Sequence, residues 1–283
     1  MAEITAAKVK ALRDKTGLPI MDCKRALSEA DGDEAAAIEA LNRKAKGKLE
    51  TRSARETGQG RIGLFIRDDA GTAGIVELRC ETAQVAQNEA FVDLANNIAA
   101  AVSAGGDANP DPVKVLTLAA PGQDGKTLAD LVSESFAKLQ ENTKLIRCRK
   151  ITGSHVAGYL HFDGTTGVVV ALDAKPNNDR VAVDLCQHAA FTKPIAITSE
   201  QIAPERIEQV RSQAKLMAEE EGKPPQIVEK IVEGKVNAYC KENALIEQEH
   251  VKPDYEKKTV KASLADAGVG AVTDLVVFQV GGE

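Results

Sequence analysis

The sequence contains no tryptophan, and aromatic residues make up only 3% of its 283 positions. Proteins that hold single-stranded nucleic acid stack its bases on aromatic rings, so this scarcity argues against such a role. The formal net charge of -6 and the pI near 5.5 argue against the basic surface that nonspecific nucleic-acid binding requires. We therefore expect no direct contact with nucleic acid.

Long apolar runs are also missing. No stretch is long enough to span a membrane, and neither end has the features of a signal peptide. We expect a cytoplasmic protein that does not enter a membrane.

The five cysteines are scattered and form no Cys-x-x-Cys pair, which favours reduced structural thiols over disulfides or zinc. His155 and His161 fall on one face of a predicted strand, but their spacing puts them beyond the reach of adjacent metal ligands. We expect no metal and no cofactor.

Catalytic motifs are missing as well. The chain has no G-x-x-x-x-G-K-[ST], no H-E-x-x-H and no G-x-S-x-G. His188 lies among apolar neighbours in a predicted helix, where a histidine is more often a hydrogen-bonded structural residue than a site residue. We therefore expect no catalytic residues and a protein that is not an enzyme.

Residues 1–46 predict three short helices. Gly17 and Pro19 interrupt the first, because both residue types disfavour a continuing helix, and Asp33 can cap the third. Three helices in so short a segment predict a small bundle, of the kind that often serves as a docking module. A polar linker is expected over 47–60.

Past the linker, the sequence repeats a plan. The segments "GRIGLFIRDDAGTAGIVELRC" and "HVAGYLHFDGTTGVVVALDAK" each predict a strand, a turn and a strand, and each precedes a helix that contains "VDL". We expect an α+β fold with two related subdomains, 61–150 and 151–283, each an antiparallel sheet with helices on one face. Chance similarity of two short units is the alternative.

An insertion at about 204–246 predicts a helical hairpin that turns at Pro224-Pro225. Its many charges suit a solvated appendage, which the residues alone favour. They also suit an antiparallel coiled-coil arm that meets a partner or a second copy of the chain.

The stretch "VELRCETAQVAQNEAF" begins as a strand and ends as a helix. The corner between them is Thr82-Ala83-Gln84-Val85, which contains neither a glycine-rich phosphate loop nor a strong nucleophile.

The segment "LRDKTGLPIMDCKRAL", residues 12–27, closely resembles the N-terminal signature of bacterial translation elongation factor Ts. The duplicated core, "EGKPPQIVEKIVEGKV" and the terminal "FQVG" also lie where this family would place them. The resemblance covers the whole chain and implies an N-terminal bundle of the UBA-like type. It also implies a guanine-nucleotide exchange factor whose partner is the GTPase elongation factor Tu.

The resemblance implies roles for particular residues. In the family, the corner reads Thr-Asp-Phe-Val and reaches toward the magnesium side of the partner's nucleotide pocket, where its aromatic ring acts as a wedge. Thr82 and Val85 match, whereas Ala83 and Gln84 replace Asp and Phe. Gln84 can form hydrogen bonds, but it lacks the ring's apolar area.

Four further positions match partner-contact regions of the family. They are Arg13, Ile20 and Met21 in the docking module, and His188 in "QHAAFTKP". The leading hypothesis is therefore an exchange factor for elongation factor Tu. A diverged paralogue that binds the GTPase with weak or no exchange is the second, and an unrelated enzyme is the weakest.

Overall fold

The structure is a computed structural model that describes residues 4–52 and 55–282, apart from the side chains of residues 45–46 and 48–52. It confirms the predicted α+β class. The helices are α1 (Ala6–Thr16), α2 (Ile20–Glu29), α3 (Glu34–Arg52), α4 (Ala83–Ala86), α5 (Glu89–Ala104), α6 (Pro112–Leu116), α7 (Leu128–Leu139), α8 (Asp179–Thr192), α9 (Pro204–Glu220), α10 (Pro225–Asn243) and α11 (Val260–Asp266). The strands are β1 (Gln59–Ile66), β2 (Thr72–Cys80), β3 (Lys144–Thr152), β4 (His155–Leu160), β5 (Thr166–Leu172) and β6 (Val272–Gln279).

Capping residues set the boundaries of the first helices. The Thr5 hydroxyl accepts the Lys8 N–H at 3.3 Å and starts α1. Gly17 ends α1 with a φ of 67°, a left-handed conformation that costs glycine little. Pro19 immediately precedes α2.

Helix α3 continues to Arg52, so helix occupies the first part of the range 47–60 that we expected to be a linker. Residues 53–54 of that range lie outside the described residues.

The N-terminal bundle packs directly on α7. Leu12, Cys23 and Leu27 of the bundle share one apolar cluster with Phe136 and Ala137 of α7, and Phe136 is fully buried. The bundle is therefore not a detached module, because its removal would expose an aromatic side chain of the following subdomain.

Two antiparallel sheets follow the same plan. The first has the order β1-β2-β3 and the second has the order β4-β5-β6. Helices α5 and α7 share an apolar cluster with the first sheet, and α8 and α11 share one with the second.

The other faces of the two sheets pack on each other. Along β5, Val168 and Val170 belong to the cluster with α8, whereas Val169 and Ala171 belong to the cluster between the sheets. This alternation is the two-residue period of strand side chains. The layers therefore run helices, sheet, sheet, helices.

A buried carboxylate ties the C-terminal segment to β2. Glu77 has no exposed surface, and its carboxylate accepts hydrogen bonds from the Nε atoms of Arg79 and Arg147, both at 2.7 Å. The Gly281 N–H donates to the same carboxylate at 3.1 Å. Such partners offset the cost of burying a charge, and they fix the chain end against the first sheet.

Helices α9 and α10 pack through Ala214, Ala218, Val228 and Val232. The chain reverses at Gly222, whose φ is 70°, and the two prolines start α10.

Among the described residues, no helix combines the length and the apolar character needed to cross a membrane.

Candidate partner-binding surface

The corner after β2 is a single helical turn rather than an irregular loop. Thr82 caps α4, and its hydroxyl accepts the Val85 N–H at 3.4 Å. Ala83 and Gln84 are exposed and Val85 is half-buried. The corner therefore presents a small methyl group and a neutral amide to solvent, with no charge and no ring.

Two glutamates anchor the corner to the segment that directly follows α7. Glu141 of that segment binds the corner, and Glu81, just before the corner, binds that segment. The Glu141 carboxylate accepts the Thr82 N–H at 3.0 Å and the Thr82 hydroxyl at 2.6 Å. In return, the Glu81 carboxylate accepts the Asn142 N–H at 2.8 Å and a guanidinium N–H of Arg55 at 3.1 Å. Charge-assisted hydrogen bonds of this kind are shorter and stronger than neutral ones, so the corner is held in place.

Cys80, directly before the corner, is not a nucleophile. Burial, and then the negative charge of Glu141, raise the pKa of its thiol to about 12. Its Sγ donates to the Thr82 carbonyl at 3.2 Å. A thiol that stays protonated serves here as one more support of the corner.

The docking module exposes the residues that the sequence singles out. Ile20 is 50% exposed, Met21 is 69% exposed, and Arg13 is exposed on α1. Both apolar side chains lie in the first turn of α2, which Pro19 precedes. The module therefore exposes two apolar side chains at the start of α2 and a cation on α1.

The end of α7 supports both the module and the corner. Phe136 packs inside the module, and the Lys138 stem lies beside Gly17, where a Cβ would be 3.7 Å from the Lys138 Cε. Glu141, just past α7, holds Thr82. The structure thus brings the two predicted contact regions onto one short segment.

His188 is placed differently from our expectation. Its side chain has no exposed surface, so in this structure its ring cannot itself face a partner. Its Nδ1 accepts the Val251 N–H at 3.2 Å, which leaves the proton on Nε2 to donate to the Gln248 Oε1 at 2.8 Å. Burial lowers the pKa of His188, opposed by the Gln248 hydrogen bond, and favours the neutral ring.

One helical turn further along, Phe191 is exposed, and the sequence analysis did not single it out. Phe191 is 78% exposed, and Ile195, just past α8, is 56% exposed. At about 100° per residue, Phe191 lies roughly 120° around the helix from the buried Leu185. That angular offset was the signal that could have separated Phe191 from the buried face.

A buried network backs this part of α8. The His250 ring stacks on Tyr255 with centroids 3.9 Å apart and lies 5.0 Å from His188. Burial, and then the neighbouring His188, lower the pKa of His250 to about 4. Burial alone would raise the pKa of Asp184, but hydrogen bonds from Lys252 and Tyr255 lower it. The segment 248–255 is therefore fixed on α8.

Among the residues that the structure describes, no group of three or more His, Cys, Asp or Glu side chains could hold a metal ion. The His161 Nδ1 lies 2.8 Å from the Tyr159 hydroxyl.

Comparison with known proteins gives one consistent result. The profile of the family described as "Elongation factor TS" matches residues 81–282. The protein named "Elongation factor Ts" from Kineococcus radiotolerans is 38% identical over 289 residues, which cover 99% of this chain and 100% of that relative. Its namesake from Thermobifida fusca is 40% identical and covers 99% of both chains. The one from Azoarcus sp. is 39% identical, covering 99% of this chain and 92% of the relative.

Proposed function

Since the chain belongs to the elongation factor Ts family of translation factors, we propose that it binds elongation factor Tu carrying GDP and promotes exchange of GDP for GTP. The supporting observation is the anchored corner, which Glu141 holds on a rigid frame while Ala83 and Gln84 stay exposed. No covalent step is involved, and the site of action is the cytoplasm, where translation proceeds.

Exchange follows from linked binding equilibria. Magnesium neutralises phosphate charge in a GTPase pocket, so a contact that disturbs the magnesium and phosphate site weakens nucleotide binding. Nucleotide then weakens binding of the factor by the same ratio. The factor therefore favours the empty GTPase until GTP binds and displaces it.

The docking module and the corner have different roles in this proposal. Ile20, Met21 and Arg13 supply an exposed apolar patch and a cation, which suit a stable grip on the GTPase domain. The corner carries neither charge nor ring, so it adds little binding energy. Its role in this proposal is to meet the magnesium and phosphate site in a fixed position. Both rest on the end of α7, which keeps their spacing constant.

His188 acts in this proposal as a positioning residue. Its two ring nitrogens hold Val251 and Gln248 against α8. The exposed Phe191 and Ile195 then provide the contact surface that the resemblance assigned to this region.

A second candidate function is a diverged paralogue that binds elongation factor Tu with weak or no exchange. Gln84 favours it, because an amide cannot provide the buried apolar area of the ring that the family corner carries. The two functions differ in nucleotide release and not in binding.

Self-association through the helical hairpin is a separate proposal. Leu216 and Met217 are 61% and 60% exposed near the end of α9, and Ile227 is 46% exposed near the start of α10. These exposed side chains lie near the turn of the hairpin, and a second copy of the chain could cover them. Sedimentation of the full chain beside a Leu216→Glu/Met217→Glu variant tests this, and a monomeric wild type would contradict it.

Release of fluorescent GDP from elongation factor Tu separates the candidates. Release much faster than the intrinsic rate, at substoichiometric amounts of the chain, supports an exchange factor. Binding by calorimetry without faster release supports the paralogue. Absence of binding would reject both, and EDTA, which strips magnesium, serves as the positive control for release.

A further inference from the structure

Arg147 of β3 contacts both sheets. Its Nε donates to the Glu77 carboxylate of β2 at 2.7 Å, and its Nη2 donates to the Gln279 carbonyl at the end of β6 at 2.9 Å. Its guanidinium carbon also lies 4.4 Å from the centroid of the Phe278 ring. One side chain therefore links the two subdomains through two hydrogen bonds and a cation–π contact.

Strand alternation places Arg147 between the sheets. Cys148 belongs to the apolar cluster that contains α5 and α7, whereas Ile151 belongs to the cluster between the sheets. Arg147 and Arg149 share the face of Ile151, because strand side chains alternate with a period of two. The contacts of Arg147 span the interface between the sheets, so a rotation of one sheet on the other would break them.

Gln279 extends these contacts to the end of α8. Its side-chain Oε1 accepts a hydrogen bond from the Lys193 ammonium at 2.7 Å, and Lys193 directly follows α8. The exposed Phe191 and Ile195 lie within two residues of Lys193. A series of contacts therefore runs from β2, through Arg147 and Gln279, to the segment that carries these two apolar side chains.

The other end of the series lies on the strand that leads into the corner, since Glu77 of β2 comes shortly before Thr82. The corner and the docking module rest on the end of α7 in the first subdomain, whereas Phe191 and Ile195 belong to the second. A partner that contacts both subdomains needs both contact regions at the right spacing. A spacing that is fixed in advance lowers the entropic cost of such binding.

We propose that Arg147 is a positioning residue for nucleotide exchange. It fixes the end of α8 relative to the corner, so that both subdomains bind the same GTPase at the same time. The inference rests on the proposed function, and it assigns to Arg147 no contact with the partner.

Two full-length variants change Arg147 without leaving Glu77 unpaired, because Arg79 and the Gly281 N–H still donate to that carboxylate. We therefore expect both variants to fold. Arg147→Met removes the charge and both hydrogen bonds. Arg147→Lys keeps the charge, but its single ammonium lacks the planar fork that serves Glu77 and Gln279 together.

Arg149→Met is the matched control. The Arg149 Nη2 donates to the Asp274 carboxylate of β6 at 3.0 Å, so this variant also breaks an ion pair between the sheets. Neither residue of that pair bonds to Gln279 or Lys193. The control therefore lowers stability without breaking the series that leads to the end of α8.

Affinity for elongation factor Tu is measured by calorimetry, and the maximal rate of GDP release by fluorescence, below the onset of melting of every variant. We expect Arg147→Met to weaken binding about tenfold, Arg147→Lys to lie between, and Arg149→Met to stay within about twofold. The maximal rate should change less than about twofold, because Glu141 still holds the corner in place.

A double-mutant cycle with Phe191→Ala separates positioning from a general loss of stability. If Arg147 positions the end of α8, Phe191→Ala should weaken binding about tenfold in the wild-type background and less than about threefold in Arg147→Met. A general loss of stability would leave the factor for Phe191→Ala the same in both backgrounds.

The outcomes separate this inference from the function on which it rests. A wild-type chain that does not bind elongation factor Tu rejects both. If the wild type binds and Phe191→Ala has the same factor in both backgrounds, the positioning role alone is overturned. It is also overturned if Arg147→Met binds as tightly as the wild type, or if Arg149→Met weakens binding as much as Arg147→Met does.

Discussion

Glu141 accepts hydrogen bonds from both the backbone N–H and the hydroxyl of Thr82, at 3.0 and 2.6 Å. These residues are 59 positions apart in the chain. The contact joins the end of α7 to the start of α4 and so fixes the corner relative to the docking module. The proposed exchange mechanism depends on that fixed relationship.

The first prediction is that Glu141→Ala slows nucleotide release more than it weakens binding. Loss of the two charge-assisted bonds should loosen the corner and cost about 1–3 kcal/mol of local stability. We expect GDP release to slow about tenfold, with affinity changed less than threefold. Glu229→Ala is the control, because Glu229 is exposed on α10. If Glu141→Ala and Glu229→Ala gave the same rate of GDP release, the hydrogen bonds from Thr82 to Glu141 would have no role in exchange.

The second prediction concerns the missing ring. Ala83→Asp with Gln84→Phe should accelerate GDP release about tenfold or more, because an inserted ring adds apolar contact and about 1.4 kcal/mol corresponds to a factor of ten. Ala83→Asp alone separates the effect of charge from that of the ring. Unchanged release by a folded, binding-competent double variant would mean that nucleotide is displaced by other contacts.

Burial limits how the docking module can be tested. Removal of residues 1–46 would expose Phe136, so a truncated chain would lose stability along with any docking contact. Surface substitutions avoid this difficulty.

The third prediction is therefore made for Ile20→Ala with Met21→Ala. Both side chains are at least half exposed, so the melting temperature should stay within about 2 °C, since exposed substitutions change stability little. Affinity for elongation factor Tu should fall about tenfold if these side chains form the main grip. Val113→Ala is the control, because Val113 is 74% exposed on α6, outside the docking module. Wild-type affinity in the double variant would reject the docking role.

The fourth prediction concerns pH. His250 has a pKa lowered from 6.5 to about 4, and burial also lowers the pKa of His188. The unfolded chain therefore binds more protons than the folded chain below about pH 6.5, so stability is highest above that pH and is lost as the pH falls toward 4. The groups facing His250 are His188, Asp184 and Lys252.

Urea unfolding at pH 7 and pH 5 measures this effect. We expect the free energy of unfolding to fall by about 1–3 kcal/mol between the two values. His250→Phe keeps an aromatic ring on Tyr255 and should show a smaller loss. Asp184 does not affect the comparison. Its pKa is lowered, so its contribution to stability is lost only below pH 5. Equal losses in the two proteins would reject the assignment to His250.

Much of the local structure could be predicted from the sequence. Gly17 and Pro19 mark the break between α1 and α2, and strand alternation marks the paired strands. These features depend on neighbouring residues, and their signals lie within a short window.

Contacts between distant residues could not be predicted in this way. Glu141 reaches Thr82, and Glu77 takes partners from β3 and the C-terminal segment, yet none of these pairs has a periodic signature. The position of the turn between β4 and β5 depends equally on a distant residue, because the Ile62 N–H of β1 donates to the Gly164 carbonyl. The burial of His188 could not be predicted for a related reason, since its hydrogen-bond partners are the distant Gln248 and Val251.

The dependence of nucleotide release on magnesium tests the central proposal most directly. Release of fluorescent GDP from elongation factor Tu is followed by stopped flow with and without the chain, in excess magnesium and again in EDTA. If the chain acts on the magnesium and phosphate site, it should accelerate release strongly in magnesium, and the acceleration factor should be at least about tenfold smaller in EDTA. The same acceleration factor in both buffers would contradict the proposed mechanism, and no acceleration in either would contradict the function itself.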